Sequence, residues 1–271
     1  MIKLIACDMD GTLLDSQKRL PADFPEVLAA LKEKGVLFAV ASGRQYAALR
    51  RDFEPYIEDV LFICENGALV MQRDERLLID PIDPRDLYRI VTSVKDLRGV
   101  YPVVCRAHVA LIEKTASPEF VRNTCMYYPS VQVVDDLTEY CNLGDVCKVA
   151  FYDEYDAQMH ELPELQRKLE PGLSVILSGE HWVDVIKPGV TKGAAMSGIQ
   201  QKMGIKPEEC MAFGDYLNDC DLLKSVGESY AMENAHPQLK ELARHIAPSN
   251  DEDGVMRVVR RELGLTEGGA R

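Results

Sequence analysis

Near the start of the chain, Asp8-Met9-Asp10-Gly11-Thr12 follows an apolar run from Ile2 to Cys7 interrupted only by Lys3. Such a run reads as a parallel strand buried on both faces. In an extended chain the side chains at i and i+2 point the same way, so the carboxylates of Asp8 and Asp10 are expected to converge. Two like charges about 4 Å apart repel by about 4 kcal/mol at an effective dielectric of 20, so something should compensate them. A hard cation does so: Mg2+ accepts one or two carboxylates and keeps positions for water and a substrate phosphate. Gly11 lets the backbone turn and approach that phosphate. Asp-Gly is also ordinary turn chemistry, so the pair needs company before it means a site.

Three other groups provide it. Ser42-Gly43-Arg44 ends the apolar run Val36 to Ala41, and a hydroxyl with free backbone N–H groups in a Gly loop makes a phosphate cradle. Lys192 lies at the expected start of a helix capped by Thr191, where an ammonium can steady an anion. Gly214-Asp215-Tyr216-Leu217-Asn218-Asp219 follows Met211 to Phe213, and Asp215 is placed to complete a metal site with Asp8 and Asp10. Each alone has a plainer meaning: a Ser-Gly turn, a surface lysine, a helix cap at Asn218 and Asp219.

The elements that must position these groups alternate. Strands are expected over Ile2–Cys7, Val36–Ala41 and Val60–Cys64, with helices over Asp23–Lys34 and Tyr46–Phe53 between them. That alternation is the mark of a doubly wound α/β sheet, where ligands bind beyond the carboxyl ends of the strands. From about residue 84 the character changes. Helices near 86–97, 119–126 and 155–169, and strands near 100–106, 109–113, 146–152, 173–177 and 182–186, suggest an α+β module with a mostly antiparallel sheet. The first pattern resumes with a helix from Thr191 to Met203, a strand at Cys210–Phe213, a helix after Asp219 and a last helix near Gly254–Glu262. The tail from Thr266 is expected to fray. The expected division is a Rossmann-like core of residues 1–82 and 188–271, with a module inserted at 83–187.

Composition narrows the class. The 271 residues are 46% hydrophobic and 28% charged, a globular balance, and the formal net charge is −13. That charge disfavours sequence-independent binding to nucleic acid or anionic membrane. The eight cysteines include no CxxC and no zinc spacing; Cys105, Cys125, Cys141 and Cys147 leave a metal or disulfide group open beside buried thiols. The five histidines (108, 160, 181, 236 and 245) form no i, i+4 pair; His181, just before Trp182, is a candidate to face substrate. Met126-Tyr127-Tyr128 reads as core or surface of the inserted module rather than a cofactor box. With no signal h-region and no apolar run of about 18 residues, a soluble cytoplasmic protein is expected.

The order acidic pair, Ser, Lys, acidic loop resembles the haloacid dehalogenase superfamily, nearest its Cof-type sugar-phosphatase branch (subfamily IIB). Glu65-Asn66-Gly67-Ala68, Trp182-Val183-Asp184 and Asn250-Asp251-Glu252-Asp253-Gly254-Val255 extend the likeness over the full length. The resemblance implies a phosphoric monoester hydrolase in which Asp8 attacks phosphorus and Asp10 is the acid–base group. Asp8, the Asp10 backbone carbonyl and Asp215 would hold Mg2+. Ser42, with Gly43, and Lys192 would bind the phosphoryl oxygens. Asn218 and Asp219 would support metal or phosphate, and Arg44 and Asn66 lie where relatives contact substrate. The insert would be a cap that chooses the substrate: a sugar phosphate first, with flavin mononucleotide and pyridoxal phosphate as other options. Tyr216, where the family commonly has Gly or Ser, would narrow the site or touch the leaving group, and Leu222 replaces a frequent Met neutrally. Two rival activities are a hexose phosphate phosphomutase and a non-catalytic signalling module phosphorylated on Asp8. Neither the substrate nor an oligomeric state is indicated.

Overall fold

The computed structural model describes residues 1–115 and 117–265. The expected fraying from Thr266 lies outside the described residues.

In chain order the first elements are β1 (Leu4–Asp8), α1 (Phe24–Glu33), β2 (Leu37–Ala41), α2 (Tyr46–Asp52), β3 (Val60–Cys64), β4 (Leu69–Gln72) and β5 (Glu75–Ile79). Next come α3 (Pro84–Thr92), β6 (Val100–Arg106), β7 (Ala110–Glu113), α4 (Pro118–Tyr127), β8 (Val131–Val134), β9 (Val146–Asp153), α5 (Leu162–Leu169), β10 (Ser174–Gly179) and β11 (Trp182–Ile186). The chain ends with α6 (Lys192–Met203), β12 (Cys210–Gly214), α7 (Cys220–Lys224), β13 (Glu228–Met232), α8 (Pro237–Leu242), β14 (His245–Ala247) and α9 (Gly254–Leu263).

These form two compact units. The first takes Met1–Gly43, Phe53–Leu78 and the described residues from Thr191. Its sheet runs β14-β13-β12-β1-β2-β3-β4-β5, parallel from β14 to β3, with β4 antiparallel to β3. Strands β1, β3 and β12 are buried along their whole length, as their continuous apolar runs require. The chain winds outward from β1 through β2 to β3, then from β12 through β13 to β14 in the other direction. The point where the winding reverses lies between β1 and β12, so Asp8 and Gly214 end adjacent strands at the switch point of the sheet.

The second unit comprises Ile79–Val190 together with Arg44–Asp52, a stretch the expected boundaries leave in the first. Its sheet order is β10-β11-β9-β6-β7-β8, antiparallel except between β7 and β8. One face packs Leu87, Ile90 and Val91 of α3 and Leu165 and Leu169 of α5 onto the sheet; the other packs Phe120 of α4 with Tyr128 and Tyr152. The helix expected over 155–169 begins as a π-helical turn, Ala157–Glu161, before α5. Pro163 lacks the amide that would continue a regular ladder, and the turn before it widens. Met126 and Tyr127 are exposed while Tyr128 is buried, so that stretch serves both surface and core. All eight cysteines are free, including the four in this unit. No helix among the described residues is long and apolar enough to cross a membrane.

Candidate active site

Strand β1 ends at Asp8, which is buried, and the chain turns at Met9 and Gly11. Gly11 has φ +86°, and a Cβ there would lie 2.5 Å from Asp215 Oδ2. Only glycine lets the backbone pass this close to the second acidic loop. Thr12 Oγ1 donates to Asp215 Oδ1 at 2.8 Å, tying the two loops together.

The loop after β12 folds back on itself. Asp219 Oδ2 accepts from the backbone N–H groups of Asp215 and Tyr216 at 3.1 and 3.2 Å. Its Oδ1 accepts from Lys192 Nζ at 2.6 Å, and the same ammonium donates to Asp8 Oδ1. Lys192 is delivered by the first turn of α6, where Thr191 caps by accepting from Ala194 N–H at 3.0 Å. Lys192 and Asp219 are both buried almost completely, so the ammonium reads as a built part of the site and not as a surface lysine.

One carboxylate oxygen from each of Asp8, Asp215 and Asp219 lies within 4.8 Å of the other two. With all three carboxylates ionised around the single ammonium the cluster would carry two negative charges, and every donor atom is a hard oxygen; this set fits a divalent cation such as Mg2+. Asp219 has both oxygens engaged by Lys192 and by amides, so its part is to orient; Asp8 and Asp215 keep lone pairs for a cation. Burial pushes the Asp8 carboxyl up to about 8, against the pull of Lys192 and with Asp219 and Asp215 adding to the rise. Burial also raises Asp215, although the Thr12 hydroxyl opposes it. For Lys192, burial works against the charge, but Asp8 and Asp219 outweigh it and hold the ammonium above the ordinary lysine range.

The carboxylate of Asp10 does not join this group. It accepts from Lys18 Nζ at 2.7 Å, because the extended chain that would align it with Asp8 has already ended. Ser42 is buried beyond β2; its N–H donates to Ile63 O at 2.8 Å and its carbonyl accepts from Asn66 N–H at 3.1 Å. A Cβ at Gly43 would sit 3.0 Å from both amide atoms of Asn66, so the two loops pass close and a larger residue there would shift the Asn66 side chain. Arg44 belongs to the second unit and pairs with Asp52 at 3.1 Å. Asn218 is exposed on the turn before Asp219. Tyr216 is exposed as well, its ring meeting His236 edge-on at 5.7 Å, and Leu222 is fully buried. In the second unit, His181 Nδ1 lies 2.9 Å from the Asp153 carbonyl oxygen.

Two groups had no role in the sequence reading. Thr12 stands inside the motif, and its tie to Asp215 spans 203 positions of sequence. Asn234 Nδ2 donates to Gly11 O at 2.7 Å from a segment with no recognisable signal.

The haloacid dehalogenase-like hydrolase family matches residues 5–259. The chain is 29% identical to the 5-amino-6-(5-phospho-D-ribitylamino)uracil phosphatase of Escherichia coli K12, covering 97% of this chain and 96% of that protein. It is 30% identical to the HMP-PP phosphatase of Escherichia coli O157:H7, covering 91% and 89%. Among solved structures, a Eubacterium rectale protein aligns with TM-score 0.88 at 28% identity over 96% of this chain and 99% of that one. A Thermotoga maritima protein shares the fold at TM-score 0.86 and 23% identity, over 99% of each chain. The chain thus belongs to the haloacid dehalogenase-like hydrolase family, as a phosphatase of the Cof type.

Proposed function

We propose that this enzyme is a Mg2+-dependent phosphatase that hydrolyses a small phosphomonoester, a sugar phosphate or a metabolite carrying one, through an aspartyl-phosphate on Asp8. The observation that carries the reading is the buried ammonium of Lys192 shared between Asp8 and Asp219, with Asp215 beside them. That arrangement holds a carboxylate against a site able to offset the charge of a phosphate. The curated relatives act on phosphorylated metabolites, which supports the substrate class.

In this reading an Asp8 oxygen forms a bond to phosphorus as the ester P–O bond breaks. The Asp10 carboxyl gives its proton to the departing alkoxide. Asp10 then takes a proton from water as that oxygen attacks phosphorus, releasing inorganic phosphate and restoring Asp8. Lys192 neutralises charge on the phosphoryl oxygens, and Ser42, Gly43 and Asn218 offer donors to them. Asp8 and Asp215, with the Asp10 carbonyl, would hold Mg2+, whose positive charge would keep Asp8 ionised and offset the charge of the phosphate. Arg44 and Asn66 are proposed to contact the rest of the substrate, and the unit from Ile79 to Val190 to act as the cap. Hydrolysis is preferred to phosphomutase action because the named relatives are phosphatases. A module merely phosphorylated and read by a partner has no use for an acid–base group at Asp10.

The test is multiple turnover of p-nitrophenyl phosphate with added Mg2+. Turnover is expected to vanish with EDTA and in Asp8→Asn; if Asp8→Asn keeps most of it, Asp8 is not the nucleophile.

A further inference from the structure

The turn between β13 and α8 touches both acidic loops. The His236 N–H donates to the Asp215 carbonyl at 2.8 Å. Two residues earlier, Asn234 uses both ends of its side-chain amide. Nδ2 donates to the Gly11 carbonyl at 2.7 Å, and Oδ1 accepts from the Asn250 N–H at 3.1 Å. The assignment of nitrogen and oxygen is forced by those neighbours, one an acceptor and the other a donor. Asn250, buried, donates in turn from its own Nδ2 to the Leu14 carbonyl at 2.9 Å. Asp251 Oδ1 accepts from Ser16 N–H at 2.8 Å. The segment from Met9 to Ser16 is therefore fastened at three points by side chains from the ends of β13 and β14.

Of these fastenings, the one at Gly11 reaches nearest the chemistry. Gly11 lies between Asp10 and Thr12, and Thr12 holds Asp215. Asn234 is exposed, so its side chain fills no core space and its loss opens no cavity. What it supplies is direction.

We propose that Asn234 is a positioning residue for the phosphoryl transfer: by holding the Gly11 carbonyl it sets the Asp10–Gly11–Thr12 backbone against Asp215. The acid–base group and the cation-holding carboxylates then keep one arrangement as the phosphate reacts. This rests on the phosphatase reading above.

Asn234→Asp keeps the shape and the acceptor toward Asn250, but removes the donor and sets oxygen against the Gly11 oxygen. Outer-shell groups of this kind typically change activity or metal affinity 10–100-fold, and for an exposed one a fall in kcat of about tenfold is expected. The KM for p-nitrophenyl phosphate should stay within about twofold, and the Mg2+ concentration giving half activity should rise several-fold. Hydrogen exchange gives a readout free of turnover: backbone amides of residues 9–16 should exchange faster in the variant, with the parallel strands unchanged. The proposal is overturned if kcat and the Mg2+ midpoint both stay within twofold of wild type. It is equally overturned if exchange over residues 9–16 is unaltered, or if kcat falls with the midpoint unmoved, which would mark a purely structural role. Asp8→Asn measured alongside keeps the two readings apart. If that variant still turns over, the mechanism on Asp8 fails, while exchange over residues 9–16 still decides for or against Asn234.

Discussion

At the scale of single residues, the site depends on close approaches that only particular side chains permit. Gly11 is the sharpest case, with positive φ and the Asp215 carboxylate where a Cβ would be. Gly11→Ala is expected to cost about 1–3 kcal/mol in urea unfolding, from backbone strain and the displaced carboxylate. Its turnover should fall by at least about 100-fold, because the carboxylate that must move is proposed to hold the cation. Full activity in Gly11→Ala would show that Asp215 need not stand where it does. The types of these residues were legible, since two acids, a glycine and a strand-end position point to a cation and a phosphate. The direction of Asp10 was not. Period-two alternation holds only while the chain is extended, and β1 stops at Asp8, so the Asp10 carboxylate went to Lys18. Asp219, expected to support metal or phosphate with a helix cap as its plainer meaning, both accepts from the loop amides of Asp215 and Tyr216 and holds Lys192.

At the scale of elements, the delivery of Lys192 depends on where α6 begins. After β3, Glu65, Asn66 and Gly67 all have positive φ, at 50°, 56° and 110°. This turn brings Gly67 against the residue that caps α6, and a Cβ there would lie 2.2 Å from the Thr191 carbonyl oxygen. Gly67→Ala must push that cap away, so a loss of about 2–3 kcal/mol is expected, read as a fall of several degrees in thermal unfolding. Turnover at permissive temperature should fall as well, since the N-terminus of α6 carries the ammonium. An unaltered melting temperature would mean the close approach is not rigid. Elements with long apolar runs were legible: β3, β6 and β11 match the expected strands residue for residue. The hairpin of β4 and β5 was not, because Arg73 and Asp74 make its turn with positive φ instead of the Asn-Gly or Asp-Gly pair that marks such turns. Strands β8 and β14 are only four and three residues long, too short to display a period.

At the scale of the whole molecule, stability should carry a pH dependence from a group far along the chain from the acidic loops. Glu161, in the π-helical turn of the second unit, is fully buried, and neither carboxylate oxygen finds a hydrogen-bond partner. Burial pushes it up to about 9, and Asp153 and Asp184 add to the rise. Those neighbours are themselves engaged, Asp153 by His160 at 2.7 Å and Asp184 by Lys148 at 3.0 Å. An acid raised in the folded state binds a proton that the unfolded chain has given up. Its contribution is therefore whole below about pH 4.5 and is lost as pH climbs toward 9, with a slope of up to about 1.4 kcal/mol per pH unit. Melting temperatures measured between pH 5.5 and 8.5 should fall for the wild type and fall less for Glu161→Gln; parallel declines would show that Glu161 is not the group responsible. By itself, the sequence determined the class of fold and the kind of chemistry, because continuous apolar runs, their alternation with helical periods and the residue types at strand ends are local properties. Tertiary structure alone decided which carboxylates meet. Asp8, Lys192, Asp215 and Asp219 come from β1, α6 and the loop after β12, and their meeting depends on the reversal of winding between β1 and β12 and on glycines that let backbones nearly touch. Those are relations between distant segments, and no local pattern encodes them.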